Sequence, residues 1–91
     1  MNHKELTKHL RGRLAHAGVP CRVRMNEYCG HRVVQIITPT YDKRWNAEQL
    51  AQIALIARCN HLTMAQGLPV HDDAIMRQLT SATQFDFEVP A

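Results

Sequence analysis

Two short pairs, Cys29-x-His31 and Cys59-x-His61, are the residues whose types are best suited to chemistry in this chain. Each offers a thiolate and an imidazole, and together they would make a Cys₂His₂ ligand set for zinc. Their spacing is shorter than that of a zinc knuckle, and one pair falls at a helix end. The simpler reading is incidental cysteines and histidines at element ends, so no metal is expected. His71-Asp72-Asp73 could form a small acid–base cluster, but Asp is also a favoured helix cap, and a polar loop entering a helix explains the run more simply. No G-x-S-x-G elbow and no Gly-rich phosphate loop occurs. The chain therefore reads as a non-enzyme without a cofactor.

Recognition chemistry is better represented. Residues 1–38 carry seven Lys or Arg against two carboxylates, and the remainder four against six, so the net +3 divides into +5 and −2. A half that basic suits an acidic partner, either nucleic acid or an acidic protein surface. Lys4, Lys8 and Arg11 lie off the apolar stripe of the first helix, and Arg22 and Arg24 alternate along a strand. Tyr28 sits at the following turn, and Arg32 is expected beside the other arginines on the hairpin partner. Arginine forks near a stacking aromatic suit phosphate and unpaired bases. Lys8, Arg11, Arg22, Arg24, Tyr28 and Arg32 are the candidate binding set. The competing use of the same charges is internal, because Asp86 and Glu88 alternate as Arg22 and Arg24 do and could pair with them across a sheet. Aromatic residues are only 5% of the chain, and no RRM, KH or zinc-finger signature is present.

The elements that must position these residues follow from periodicity. Residues 3–17 form a helix with Leu6, Leu10 and Leu14 on one stripe, stopped by Gly18 and Val19-Pro20. Cys21, Val23 and Met25 alternate with arginines as a half-buried strand, and Asn26 to Gly30 carries the turn signals. His31 to Thr38 is apolar on both alternating sets, as a central strand is, and Pro39 ends it. The helix between Trp45 and His61 organises the rest. Asn46 and Gln49 make a capping box, and Trp45 and Leu50 stand at the positions of a hydrophobic staple. Leu50, Ile53, Ala54 and Ala57 form the buried stripe, which Leu55 and Ile56 widen, and Asn60 is expected to close the helix in the left-handed conformation. Leu62 to Ala65 reads as a short strand bent by Gly67-Leu68-Pro69. Asp72 or Asp73 caps a brief turn containing Ile75, Met76 and Leu79. Phe85, Phe87 and Val89 make a last strand closed by Pro90.

This order predicts a single α+β domain over residues 1–91, a two-layer sandwich α-β-β-α-β-(α)-β with helices on one face of a mostly antiparallel sheet. No apolar run is long enough for a membrane span, and the charged first twenty residues do not look like a secretory signal. Three cysteines without paired spacing fit a reducing cytoplasm.

The segments HLRGRLAHAGVPCRVRM, CG, VVQIITPTY, EQLAQIALIARCNHLTMAQGLPV and FDFEVP resemble small proteins encoded by phages and mobile elements, most of all the anti-CRISPR type. The resemblance implies a non-enzymatic inhibitor in the bacterial cytoplasm, docking on a CRISPR ribonucleoprotein complex and blocking its nucleic-acid path or nuclease recruitment. It carries no residue roles, and the net positive charge departs from the acidic, DNA-mimicking members. A host protein or ribonucleoprotein is thus the expected partner. The alternative is an autonomous small basic DNA- or RNA-binding domain.

Overall fold

The structure, a computed structural model, describes residues 2–65, 70 and 72–90. Helix α1 (His3–His16) starts where the Asn2 side chain accepts the Glu5 N–H at 2.9 Å, and it buries Leu6, Leu10 and Leu14 as expected. It ends in a Schellman motif. Gly18, at φ +78, donates to the Ala15 carbonyl at 3.1 Å, and Val19 donates to the Leu14 carbonyl at 2.9 Å.

Strands β1 (Arg22–Tyr28) and β2 (His31–Ile37) form an antiparallel hairpin in register from Arg22 opposite Ile37 to Tyr28 opposite His31. The turn is Cys29-Gly30 alone, with φ of 50 and 83, the pattern of a type I′ turn. The turn signals at Asn26 to Gly30 predict a longer loop. Instead Asn26, Glu27 and Tyr28 continue the strand, because a two-residue primed turn follows the right-handed twist of the strands it joins. β2 is central, as its two apolar sides predict. It pairs on its far side with β4 (Gln84–Glu88), which in turn pairs with the short β3 (Thr63–Met64). The sheet order is β1-β2-β4-β3, antiparallel throughout. Ala65 prolongs the β3 pairing by donating to the Asp86 carbonyl at 2.9 Å. The expected bend at Gly67-Leu68-Pro69 lies outside the described residues, as does His71.

Helix α2 (Ala47–Cys59) carries the capping box in full: Asn46 accepts from the Gln49 N–H at 2.8 Å, and the Gln49 side chain accepts from the Asn46 N–H at 2.9 Å. Trp45, only 2% exposed, does more than staple. Its indole stacks on Phe85 at 5.6 Å between centroids, and its Nε1 donates to the Pro20 carbonyl at 2.8 Å. Gln49 Nε2 also donates to the Gly18 carbonyl at 3.1 Å, so the start of α2 is tied to the α1–β1 junction by side chains on both sides of the cap.

Two expectations for α2 are corrected. Leu55 does not widen the buried stripe. It shares an outer row with Glu48, Gln52 and Cys59 and is 44% exposed, whereas Ile56, one residue on, turns inward and is buried. Nor does Asn60 adopt the left-handed conformation: its φ is −106, and its side chain donates back to the Ile56 carbonyl at 2.8 Å. His61 takes that role at φ 59, donating to the Arg58 carbonyl at 3.1 Å while Leu62 donates to the Ala57 carbonyl at 2.9 Å. This is a second Schellman motif, built on histidine where α1 uses glycine.

Helix α3 (Asp73–Met76) is capped by Asp72, which accepts from the Ala74 and Ile75 N–H groups, and it buries Met76. The helices cover one sheet face. Val23, Val34, Ile36, Phe85, Phe87 and Met64 project from that face into a core completed by the leucines of α1 and the stripe of α2. The chain is thus an α+β fold with its helices against one side of an antiparallel sheet. No helix among the described residues is long and apolar enough to cross a membrane.

Candidate functional site

The opposite sheet face carries no helix, and strand alternation assigns its residues. On β1 these are Arg22, Arg24, Asn26 and Tyr28. On β2 they are His31, Val33, Gln35 and Ile37, and on β4 Gln84, Asp86 and Glu88. Arg22 reaches the Thr38 carbonyl through a long 3.4 Å contact from Nε. Arg24 is exposed and has neither an ion pair nor a hydrogen bond among the described residues. Tyr28 is 55% exposed in the same row.

The strand order decides what the arginines can pair with. β2 separates them from the acidic strand, so Arg24, Gln35 and Asp86 stand in line across three strands. Two strand spacings amount to roughly 10 Å. The polar groups between are engaged elsewhere: Asn26 Nδ2 donates to Gln35 at 2.8 Å, and Gln84 Nε2 donates to Asp86 at 2.7 Å. Neither Arg22 nor Arg24 forms an ion pair with Asp86 or Glu88.

The helix side of β1 is basic as well. Lys4 and Arg11 of α1 line a cleft with Met25 of β1, and Lys8 is exposed between them in the chain. The Arg11 guanidinium donates to the Val23 carbonyl at 2.9 Å. Nearby Cys21 is half-buried, and burial pushes its thiol up, an effect only partly offset by the positive charge of Arg11. A thiol so placed stays protonated and is a poor nucleophile. Glu27, the one carboxylate of β1, is paired with His3 at 3.2 Å.

Arg32 does not join this set. Its register partner is Glu27, and it shares the helix-side parity of Val34 and Ile36. Had the turn spanned Asn26 to Gly30, Arg32 would have fallen opposite Arg24. The shorter turn shifts the pairing by an odd number of residues and sends Arg32 to the other face. There it lines a cleft with His61, Val89 and Pro90 at the end of the sheet. The structure sets Arg22, Arg24 and Tyr28 in one row of the uncovered face, Arg11 on the helix side of β1 and Lys8 exposed on α1, and it places Arg32 elsewhere. Lys4, also off the apolar stripe, lines the cleft with Arg11 and Met25.

The residues that first suggested chemistry are dispersed. His31 and His61 line one cleft with Arg32 and Glu88, and Cys29 is not among its lining residues. No group of three or more His, Cys, Asp or Glu among the described residues is arranged to hold a metal ion. All three cysteines are free thiols. Of the acidic run, Asp72 caps α3, and Asp73 accepts from Arg58 at 2.6 Å. That contact holds the Asp73 carboxyl below its ordinary value. What remains is a basic flank around one sheet edge whose Lys and Arg side chains have no carboxylate partner among the described residues. Comparison with protein-family models, with curated proteins and with solved structures finds no match.

Proposed function

We propose that the chain is a non-enzymatic binding protein whose α1–β1 flank docks on an acidic surface of a nucleoprotein assembly. In keeping with the anti-CRISPR resemblance, the favoured target is a bacterial CRISPR ribonucleoprotein in the cytoplasm, inhibited through its nucleic-acid path or its nuclease-recruiting surface. One observation carries this reading: the insertion of β2 between the basic and acidic strands leaves Arg22 and Arg24 without a carboxylate partner. Cations left unpaired on a rigid strand are preorganised for a partner, because no internal pair has to be broken first.

The test compares two binding experiments. Free DNA and RNA are titrated with the protein across a salt series, and a reconstituted CRISPR surveillance complex is assayed for target binding with and without it. The docking reading expects inhibition of the complex, with little affinity for free nucleic acid. Arg22→Glu with Arg24→Glu should abolish that inhibition, since charge reversal adds repulsion to the lost attraction. Tyr28, exposed at the turn end of the same row, favours a second reading, an autonomous single-strand binder. Tight binding to free nucleic acid that falls steeply with salt would select that second reading over the first.

A further inference from the structure

β1 is the long free edge of the sheet, and strand geometry says which of its groups are on offer. β2 occupies one side, and no described strand pairs with the other. The two-residue turn makes Tyr28 and His31 an exchanging pair, so alternate residues back to Arg22 direct their peptide groups inward to β2. Val23, Met25 and Glu27 direct theirs outward. Arg11 marks the same phase, since the carbonyl it reaches is the outward one of Val23. Val23 is buried at that point, Met25 is half-buried and Glu27 is exposed, so the edge opens from Met25 onward. The outward N–H and C=O groups of Met25 and Glu27 have no hydrogen-bond partner among the described residues. The ladder is unbroken and contains no proline or bulge, the usual devices that blunt an edge.

Charge guards this edge instead, and charge also selects what may join it. Lys4 and Arg11 stand on its helix side, and Arg22 and Arg24 on the uncovered face. A second copy of β1 would bring the same cations together, whereas an acidic strand meets opposite charge on both faces. We propose, resting on the docking role above, that an extended acidic segment of the protein partner adds to β1 as a further strand. Its backbone pairs with Met25 and Glu27, and its alternate carboxylates engage Arg22 and Arg24 on the uncovered face.

The probe is a short peptide of alternating Glu and Val with blocked ends, used with the full chain. Two readouts are taken: peptide affinity by anisotropy, and amide hydrogen exchange residue by residue. The expected result is saturable binding, with exchange at Met25 and Glu27 slowed about tenfold or more as their N–H groups gain partners. A version of the peptide N-methylated on its pairing edge keeps every charge and should bind about tenfold or more weakly. Glu27→Pro removes an outward N–H without touching the inner ladder and should weaken binding similarly, with Glu27→Gln as its charge control. Equal binding of the methylated peptide, with exchange unchanged, would overturn the added strand and leave charge-only docking in place. Slow exchange at Met25 and Glu27 without peptide, in a protein that sediments as a dimer, would also overturn it by assigning the edge to a second copy. Intact inhibition by the Arg22→Glu, Arg24→Glu protein would instead remove the docking role, and this inference with it.

Discussion

The two flanks of the molecule treat charge in opposite ways. On the α2–α3 side the arginines are matched: Arg58 pairs with Asp73 and also donates to the Val70 carbonyl, and Arg77 pairs with Glu48. On the α1–β1 side, none of Lys4, Lys8, Arg11, Arg22 and Arg24 has a carboxylate partner among the described residues, and Glu27 is in contact only with the His3 imidazole. The difference follows from topology. α3 is too short to hold itself in place and gains from charged ties to α2. β1 is held by a full ladder and a buried face, so its surface charges are not needed for folding. A charge paired within the fold and a charge left without a carboxylate are thus distinguishable by what stands opposite it.

Substitutions can break or sharpen that contrast, and the largest effect belongs to the residue that joins the two flanks. Trp45→Ala removes the stack on Phe85, the bond to Pro20 and a fully buried ring. It should cost about 3 kcal/mol or more in chemical denaturation. A loss below about 0.5 kcal/mol would be a surface-site result and would deny that tie.

The paired flank should show smaller but clear effects. Arg58→Met keeps the side-chain stem and loses both hydrogen bonds, the one to Val70 at 3.0 Å and the one to Asp73 at 2.6 Å. About 1 kcal/mol of stability should go with them. The pair also predicts a pH dependence. The hydrogen bond from Arg58 lowers the folded pKa of Asp73, so the folded state releases that proton more readily than the unfolded chain. The stabilisation is full above the unfolded carboxyl value of about 4, and it disappears as pH falls through the lower folded value. Asp73→Asn should therefore be less stable than the parent at neutral pH and converge with it in strong acid, as followed by urea unfolding at each pH.

The smallest expected effect is at a helix end. His61→Gly relieves a left-handed residue that Gly18 already accommodates in the corresponding motif of α1, and it should stabilise by about 0.5–1 kcal/mol. A loss of stability would mean that the His61 side chain holds more than the backbone turn.

Much of this architecture was legible because its causes are local. Asn46 and Gln49 are three residues apart and cap α2 wherever the rest of the chain lies, and the two apolar sets of β2 required neighbours on both sides. The misread positions depend on geometry that the sequence only implies. Cys29-Gly30 lacks the Asn-Gly signal of a type I′ turn, so the sequence alone predicts a shorter hairpin and puts Arg32 on the wrong face. Asn60 is the better left-handed residue by type, yet the helix runs one residue further and gives that conformation to His61. The separation of Arg22 and Arg24 from Asp86 and Glu88 is a matter of strand order, which alternation alone cannot fix, and the basic site depends on it.

The most direct test of that separation is the stability of two variants under chemical denaturation. Arg22→Glu with Arg24→Glu should unfold within about 0.5 kcal/mol of the parent, as exposed charges without partners do. Adding Asp86→Arg and Glu88→Arg should restore nothing, because there is nothing to restore. A clear loss in the double variant, recovered in the quadruple one, would mean that the basic and acidic strands are coupled and that these arginines serve the fold.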